Sequence, residues 1–201
     1  MMLAAIEDAM TAALATVFDA PALGYRKPRV EAYSGQLDSD ELVNVVRTLP
    51  AVWITYGGGG KPARVNAARD RWLTPVTMVT MVATRNVRGE HVARHGVTNS
   101  AGAVVEPGVY HLLDAICQVL LGRDLGLAIR PFEPGAVKTV INSRLNSDAW
   151  AVYGQEWHTA YTARTPAEAA AELLRIGVDI TRPGSAEAVL SPSVVTLRDQ
   201  P

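Results

Sequence analysis

The sequence predicts an α+β fold: a mixed, largely antiparallel β-sheet with helices packed mainly on one face. Three observations carry this. Apolar residues recur at helical spacing near the start of the chain and again after Pro107. Stretches at 52–56, 72–85 and 149–162 are rich in Val, Thr and aromatic residues, the composition of strands. Four glycines, Gly57 to Gly60, follow the first of these stretches, as in a hairpin or inter-strand loop.

Along the chain, Leu3, Ile6, Met10, Leu14, Val17 and Phe18 form one apolar stripe, so residues 3–18 read as an amphipathic helix closed by Pro21 and Gly24. Residues 28–34 make a short strand. Asp38 and Glu41 stand at capping-box spacing and start a second helix, with Leu42, Val45, Val46 and Leu49 as its buried stripe and Pro50 as its end. Val52 to Tyr56 is the next strand. The 72–85 strand is apolar on both sides, with Val76, Met78 and Val82 on one and Leu73, Val79 and Met81 on the other. A sheet with helices on one face only should alternate more cleanly, so something else has to cover the second face.

Residues 86–106 are polar and read as a long irregular loop with one helical turn near His91. Pro107 opens the strongest helix, with Val109, Leu112, Leu113, Ile116, Val119 and Leu120 along one side and Gly122 just past its end. Strand-like stretches follow at 126–131, 136–142 and 149–162; in the last, Ala151, Tyr153, Trp157 and Tyr161 share a face. Thr165, Pro166 and Glu168 cap a short helix to about Arg175, and Pro183, Gly184 and Pro192 then interrupt any regular element. The organisation expected is a domain over 1–163 and a short helix with an extended C-terminal arm over 164–201.

Composition narrows the function. Of the 201 residues, 48% are apolar, enough for a sizeable core. Nineteen basic against 20 acidic residues leave a net charge of −1, so no whole-molecule field draws the chain to nucleic acid or an anionic membrane. Cys117 is the single cysteine; it can form no internal disulfide and fits a reducing compartment. The first residues carry Glu7 and Asp8 and no basic leader, which argues against a signal peptide, and no apolar run approaches the ~20 residues needed to cross a bilayer. A soluble protein is expected.

The motifs for chemistry fail on inspection. Gly57 to Lys61 suggests a phosphate loop, but Thr55 stands where the leading glycine is needed and Pro62 where the Mg²⁺-binding hydroxyl belongs. His91 and His95 could share a helix face, yet Glu90 is misplaced for a zinc-helix motif and no third ligand is in evidence. Cys117 lies on an apolar helix beside Ile116, where a thiol behaves as a small hydrophobe. No catalytic residue, cofactor or metal site is assigned.

One charge asymmetry remains. Between Lys61 and Arg94 there are seven basic residues and two acids, a local balance of +5. Long arginines that flank strands and solvate their ends account for this simply. The sharper account is a basic surface at one end of the sheet, facing acidic partners or DNA. Arg64, Arg69, Arg71, Arg85 and Arg88, with the aromatics Tyr153, Trp157 and Tyr161, are therefore the candidate subunit or partner interface.

The order of local words adds a resemblance. An "AAIEDAM" helix precedes "VEAYSGQLDSDEL" and "TLPAVWITYGGGG"; a strand ending in "ATRNVRGE" leads to "GVYHLLDAICQVLLGRDLGL" and a closing "WAVYGQEWHTAYT". Over residues 2–163 this resembles the tail protein family of Mu-like phages that acts as tail terminator. The resemblance implies a structural, non-enzymatic virion protein that needs no cofactor. It implies a homo-oligomer, a hexameric ring, at the head-proximal end of the tail. The implied partners are the tail tube protein, the head–tail connector or neck proteins, and the sheath if the tail is contractile, with no membrane and no specific nucleic acid. Assembly would take place in the host cytoplasm. Two other readings stay open: a head-completion or neck connector protein, and a DNA-binding accessory module. Residues 177–201 are expected to pair with an adjacent subunit, and the loops at 57–61 and 86–106 to become ordered only against neighbours.

Overall fold

In the computed structural model, which describes residues 2–20, 24–37, 45, 47–67, 70–145, 148–164, 176–177 and 194–195, the chain divides into two units, Met1–Arg164 and Thr165–Pro201. The elements of the first, in chain order, are α1 (Met2–Phe18), β1 (Arg29–Ala32), β2 (Ala51–Gly58), β3 (Ala63–Arg64), β4 (Arg71–Asn86), α2 (Glu90–His95), β5 (Val97–Thr98), β6 (Val104–Glu106), α3 (Val109–Leu120), β7 (Glu133–Leu145) and β8 (Asp148–Arg164). In the second unit β9 (Ile176–Gly177) pairs antiparallel with β10 (Val194–Val195).

The periodicity of α1 does what it predicts. Ile6, Met10, Leu14 and Phe18 recur every fourth residue and are buried, each such side chain contributing roughly 1.5–3 kcal/mol of transfer free energy. On α3 the buried stripe is Val109, Leu112, Leu113, Ile116, Val119 and Leu120. The helix stops where Gly122 takes a φ of +69°, a backbone turn that a side chain would strain.

The main sheet runs β1-β2-β4-β8-β7, with β3 beside the start of β4. Only β1 and β2 are parallel; the other pairs are antiparallel. The expected α+β fold with a mixed, largely antiparallel sheet is the observed one. Directly opposed residues on neighbouring strands share a face, and the two faces bury different sets. Val52, Ile54, Val76, Met78, Val82, Ala151, Tyr153 and Trp157 pack with α1 and α3 in one cluster. Ala51, Trp53, Met81, Ala83, Trp150 and Val152 form a second, against which Tyr33, Leu37, Val45 and Leu49 pack. Among the described residues the cover expected for the second face is therefore supplied by Tyr33, Leu37, Val45 and Leu49, from between β1 and β2, at one end of the sheet.

Several local expectations change. Residues 86–106 are not an irregular loop: α2 and the β5–β6 hairpin occupy them. Thr84 Oγ donates a hydrogen bond to the Ala93 carbonyl and ties α2 to β4. The 126–131 stretch is not a strand. Leu125 and Gly126 have φ of +54° and +77°, which turns the chain, and an isolated bridge from Ile129 to Tyr161, with a hydrogen bond from the Thr159 hydroxyl to the Arg130 carbonyl, joins it to β8. The strand expected at 136–142 begins earlier and ends later, as β7 over Glu133–Leu145. In the helix expected from Asp38, residues 38–44 and 46 lie outside the described residues; Val45, Arg47 and Thr48 are helical. The helix expected over 165–175 and most of the C-terminal arm also lie outside the described residues.

Candidate functional site

β4 and β8 pair over sixteen residues, from Arg71 opposite Arg164 to Asn86 opposite Ala149. At ~3.3 Å per residue the two ends of this ribbon stand about 50 Å apart. That length divides the basic stretch. Arg64 and Arg71 lie at one end, Arg85 and Arg88 at the other, so the expected single basic surface does not form among the described residues. Arg69 lies outside the described residues. At the far end Arg88 is engaged within the fold, its guanidinium 3.2 Å from Glu106, which also accepts from the Asn86 amide.

The near end is the more basic. Arg71 and Arg164 face each other across the ladder. Beside them the Asp70 carboxyl is held below its ordinary range, first by the Asn66 amide and then by the charges of Arg71 and Arg164. The Arg64 guanidinium stands 5.3 Å from the ring centroid of Trp72. Arg64 also borders a cleft of about 520 Å³ together with Arg130, with Leu73, Ala160 and Thr162 among its lining. A smaller cleft of about 150 Å³ shares Leu73, Arg130 and Ala160 and continues to Pro75, Glu133 and His158. Leu73, Pro75, Ala160 and Thr162 all lie on the sheet face away from the helices, so among the described residues the two clefts make one trough on that face.

Beyond the trough the same face stays shallow. A side chain at Gly57 would meet Val79 Cγ2 at 2.6 Å, and one at Gly154 would meet Val140 Cγ2 at 3.4 Å. Glu156 and Lys138 pair across this surface at 2.7 Å, and the hydrogen bond and charge of Lys138 hold the Glu156 carboxyl below its ordinary range. Thr77 Oγ and His158 Nδ1 are 3.1 Å apart.

The aromatic candidates require correction. Trp157 is fully buried, its indole N–H donating to Thr80 Oγ at 3.1 Å. Tyr153 is buried, and Tyr161 is partly buried against the same cluster. All three point toward the helices, because β8 lies inside the sheet and its odd-numbered residues in this region build the helix-side core. They are packing residues of the free chain.

The histidine pair stacks, with His91 and His95 ring centroids 4.2 Å apart, and an aromatic chain continues from His95 through Tyr110 to Tyr153. Burial works to raise the Tyr153 pKa, but contacts with Thr139, Tyr110 and Arg94 outweigh it and lower the value. The same contact with Tyr153 raises that of Tyr110. Among the described residues no group of three or more His, Cys, Asp or Glu side chains is placed to hold a metal ion.

Sequence reasoning missed Arg130 and Arg164. Arg130 sits in the turn segment misread as a strand. Arg164 lies beyond the stretch whose charge was counted, and only the strand register brings it beside Arg71.

Two comparisons bear on the arrangement. A family model described as Bacteriophage Mu, Gp37 matches residues 2–162. No curated protein matches the chain.

Proposed function

Since the chain belongs to the Bacteriophage Mu Gp37 family, a family of phage structural proteins, we propose that it is the tail terminator, a ring of identical subunits, six in number, closing the head-proximal end of the tail tube. In this role it stops tube polymerisation and presents a docking surface to the head. It acts by assembly and carries out no bond-making step. Its partners are its own copies, the tail tube protein and the connector, with the sheath added if the tail contracts.

The observation that carries this reading is the coincidence of the matched region with the first folded unit, 2–162 against Met1–Arg164. What the family shares is then the whole main sheet, including the edge strands β1 and β7 and a face that the described residues cover at one end. A large sheet left partly bare suits a subunit finished by its neighbours. The trough rimmed by Arg64 and Arg130 offers an apolar floor and positive charge to an acidic protein surface.

Electron microscopy of particles made without this chain tests the role. Overlong tails are expected. Tails of normal length beside leaking heads would replace the terminator by a connector. Tight, steeply salt-dependent binding to free DNA would favour the DNA-binding reading instead.

A further inference from the structure

Among the described residues the sheet ends in two unlike edges. On one side lies β1, four residues long, with no described strand beyond it. A cleft of about 330 Å³, lined by Ala15 of α1 and by residues 27–31, runs beside it. On the other side lies β7, thirteen residues long, whose one strand partner among the described residues is β8. A long open edge is a template for a further strand. This one also carries exposed apolar side chains, Val137 at 50% and Val140 at 48% exposure.

Strand polarity selects what can be added. Crossing the sheet from β1 to β7 the directions run same, same, reversed, same, reversed, so β1 and β7 are opposed. If one copy is set beside another with its helices on the same side, β7 of the first therefore meets β1 of the second antiparallel. The sidedness also fits. Thr139 lies opposite Tyr153 and Val30 beside Val52, both on the helix side. Lys138 lies opposite Gly154 and Glu31 beside Trp53, both on the other face. One register keeps every face: Thr139 against Val30, Val137 against Ala32 and Lys138 against Glu31. The last places opposite charges across the junction. Each already has a partner within its own copy, Lys138 with Glu156 and Glu31 with Arg29 and the Trp53 indole N–H, so the junction would join two existing pairs into one row of alternating charge.

We propose that copies of this chain join edge to edge, β7 of one pairing antiparallel with β1 of the next, so that a single sheet passes through the assembly. The junction is heterologous, as a ring demands, and the proposal rests on the ring reading above. A two-fold pairing of β7 with β7 is the rival; it would close at two subunits and leave every β1 bare.

Cysteine pairing decides between them, in the full chain with Cys117→Ser as background. Ala32→Cys and Val137→Cys are made singly and together, both at exposed positions, and oxidised at assembly concentration. The double variant should give a ladder of covalent oligomers rising to the ring, each single variant none, and a mixture of the two single variants dimers only. Dimers from Val137→Cys alone would overturn the proposal in favour of two-fold pairing. An uncrosslinked double variant that still forms rings by native mass spectrometry would place the junction elsewhere while leaving the ring intact. Absence of any oligomer of the unmodified chain, with and without tail tubes, would remove the ring reading and this junction together.

Discussion

Trp157 illustrates how much one position can hold. Its ring is fully buried and its N–H is taken by Thr80. Trp157→Ala should cost about 3–5 kcal/mol in a urea titration, since it opens a cavity. Trp157→Phe should cost about 1–3 kcal/mol, because it leaves a buried hydroxyl without its donor. A variant that folded normally but failed to assemble would return Trp157 to the interface. Two glycines make a sharper pair. A β-carbon at Gly108 would run into the backbone nitrogen of Gly96 and the carbonyl of Arg94, whereas at Gly154 its nearest neighbour is a side-chain methyl at 3.4 Å. Gly108→Ala should therefore lose about 3 kcal/mol or more, and Gly154→Ala should stay within about 1 kcal/mol of the parent. Lys138 lowers the Glu156 pKa, so their attraction is present above the ordinary carboxylate range and is lost as pH falls through the lowered value. Lys138→Met should move the Glu156 titration upward, as read by NMR of its carboxyl carbon.

At the scale of elements, legibility followed periodicity. The stripe of α1 and the faces of β4 could be read because apolar spacing reports which side of an element is buried. Tyr153, Trp157 and Tyr161 were correctly grouped on one face, yet that face was taken for surface. Alternation shows that residues share a side and does not say what lies over it. The β5–β6 hairpin was hidden for another reason. Its strands are two and three residues long, too short for any period, and its position is held by the Gly96–Gly108 backbone contact, between residues twelve apart in sequence. The arginines of 61–94 misled because closeness in sequence is not closeness in space once a sixteen-residue strand intervenes. Both apolar clusters of the described residues are drawn from the unit Met1–Arg164. A fragment of residues 1–164 should therefore fold by itself and unfold in one cooperative transition in a denaturant titration.

For the whole molecule, the uneven cover of the sheet matters most. Among the described residues one face packs against α1 and α3, while on the other Tyr33, Leu37, Val45 and Leu49 gather at the end that holds Trp53 and Trp150. In the ring proposed above, the stretch from the Arg64–Arg130 trough to Val140 is the surface offered to a neighbour. Replacing Arg64 and Arg130 together by Glu should leave the unfolding midpoint near that of the parent, because the Arg64 side chain is exposed and neither residue belongs to an apolar cluster. It should weaken capping of tail tubes at least tenfold in a co-sedimentation assay. Equal capping by parent and variant would assign the trough no part in tube contact.

The sixteen-rung pairing of β4 with β8 has a mechanical consequence. A load pulling these two strands lengthwise in opposite directions shears many hydrogen bonds at once, while a load prising them apart from one tip meets those bonds in succession. The subunit is thus stiff along the ribbon and weak across it. Single-molecule pulling through handles at opposite tips of the two strands should need a markedly higher rupture force than pulling through handles at the same tip.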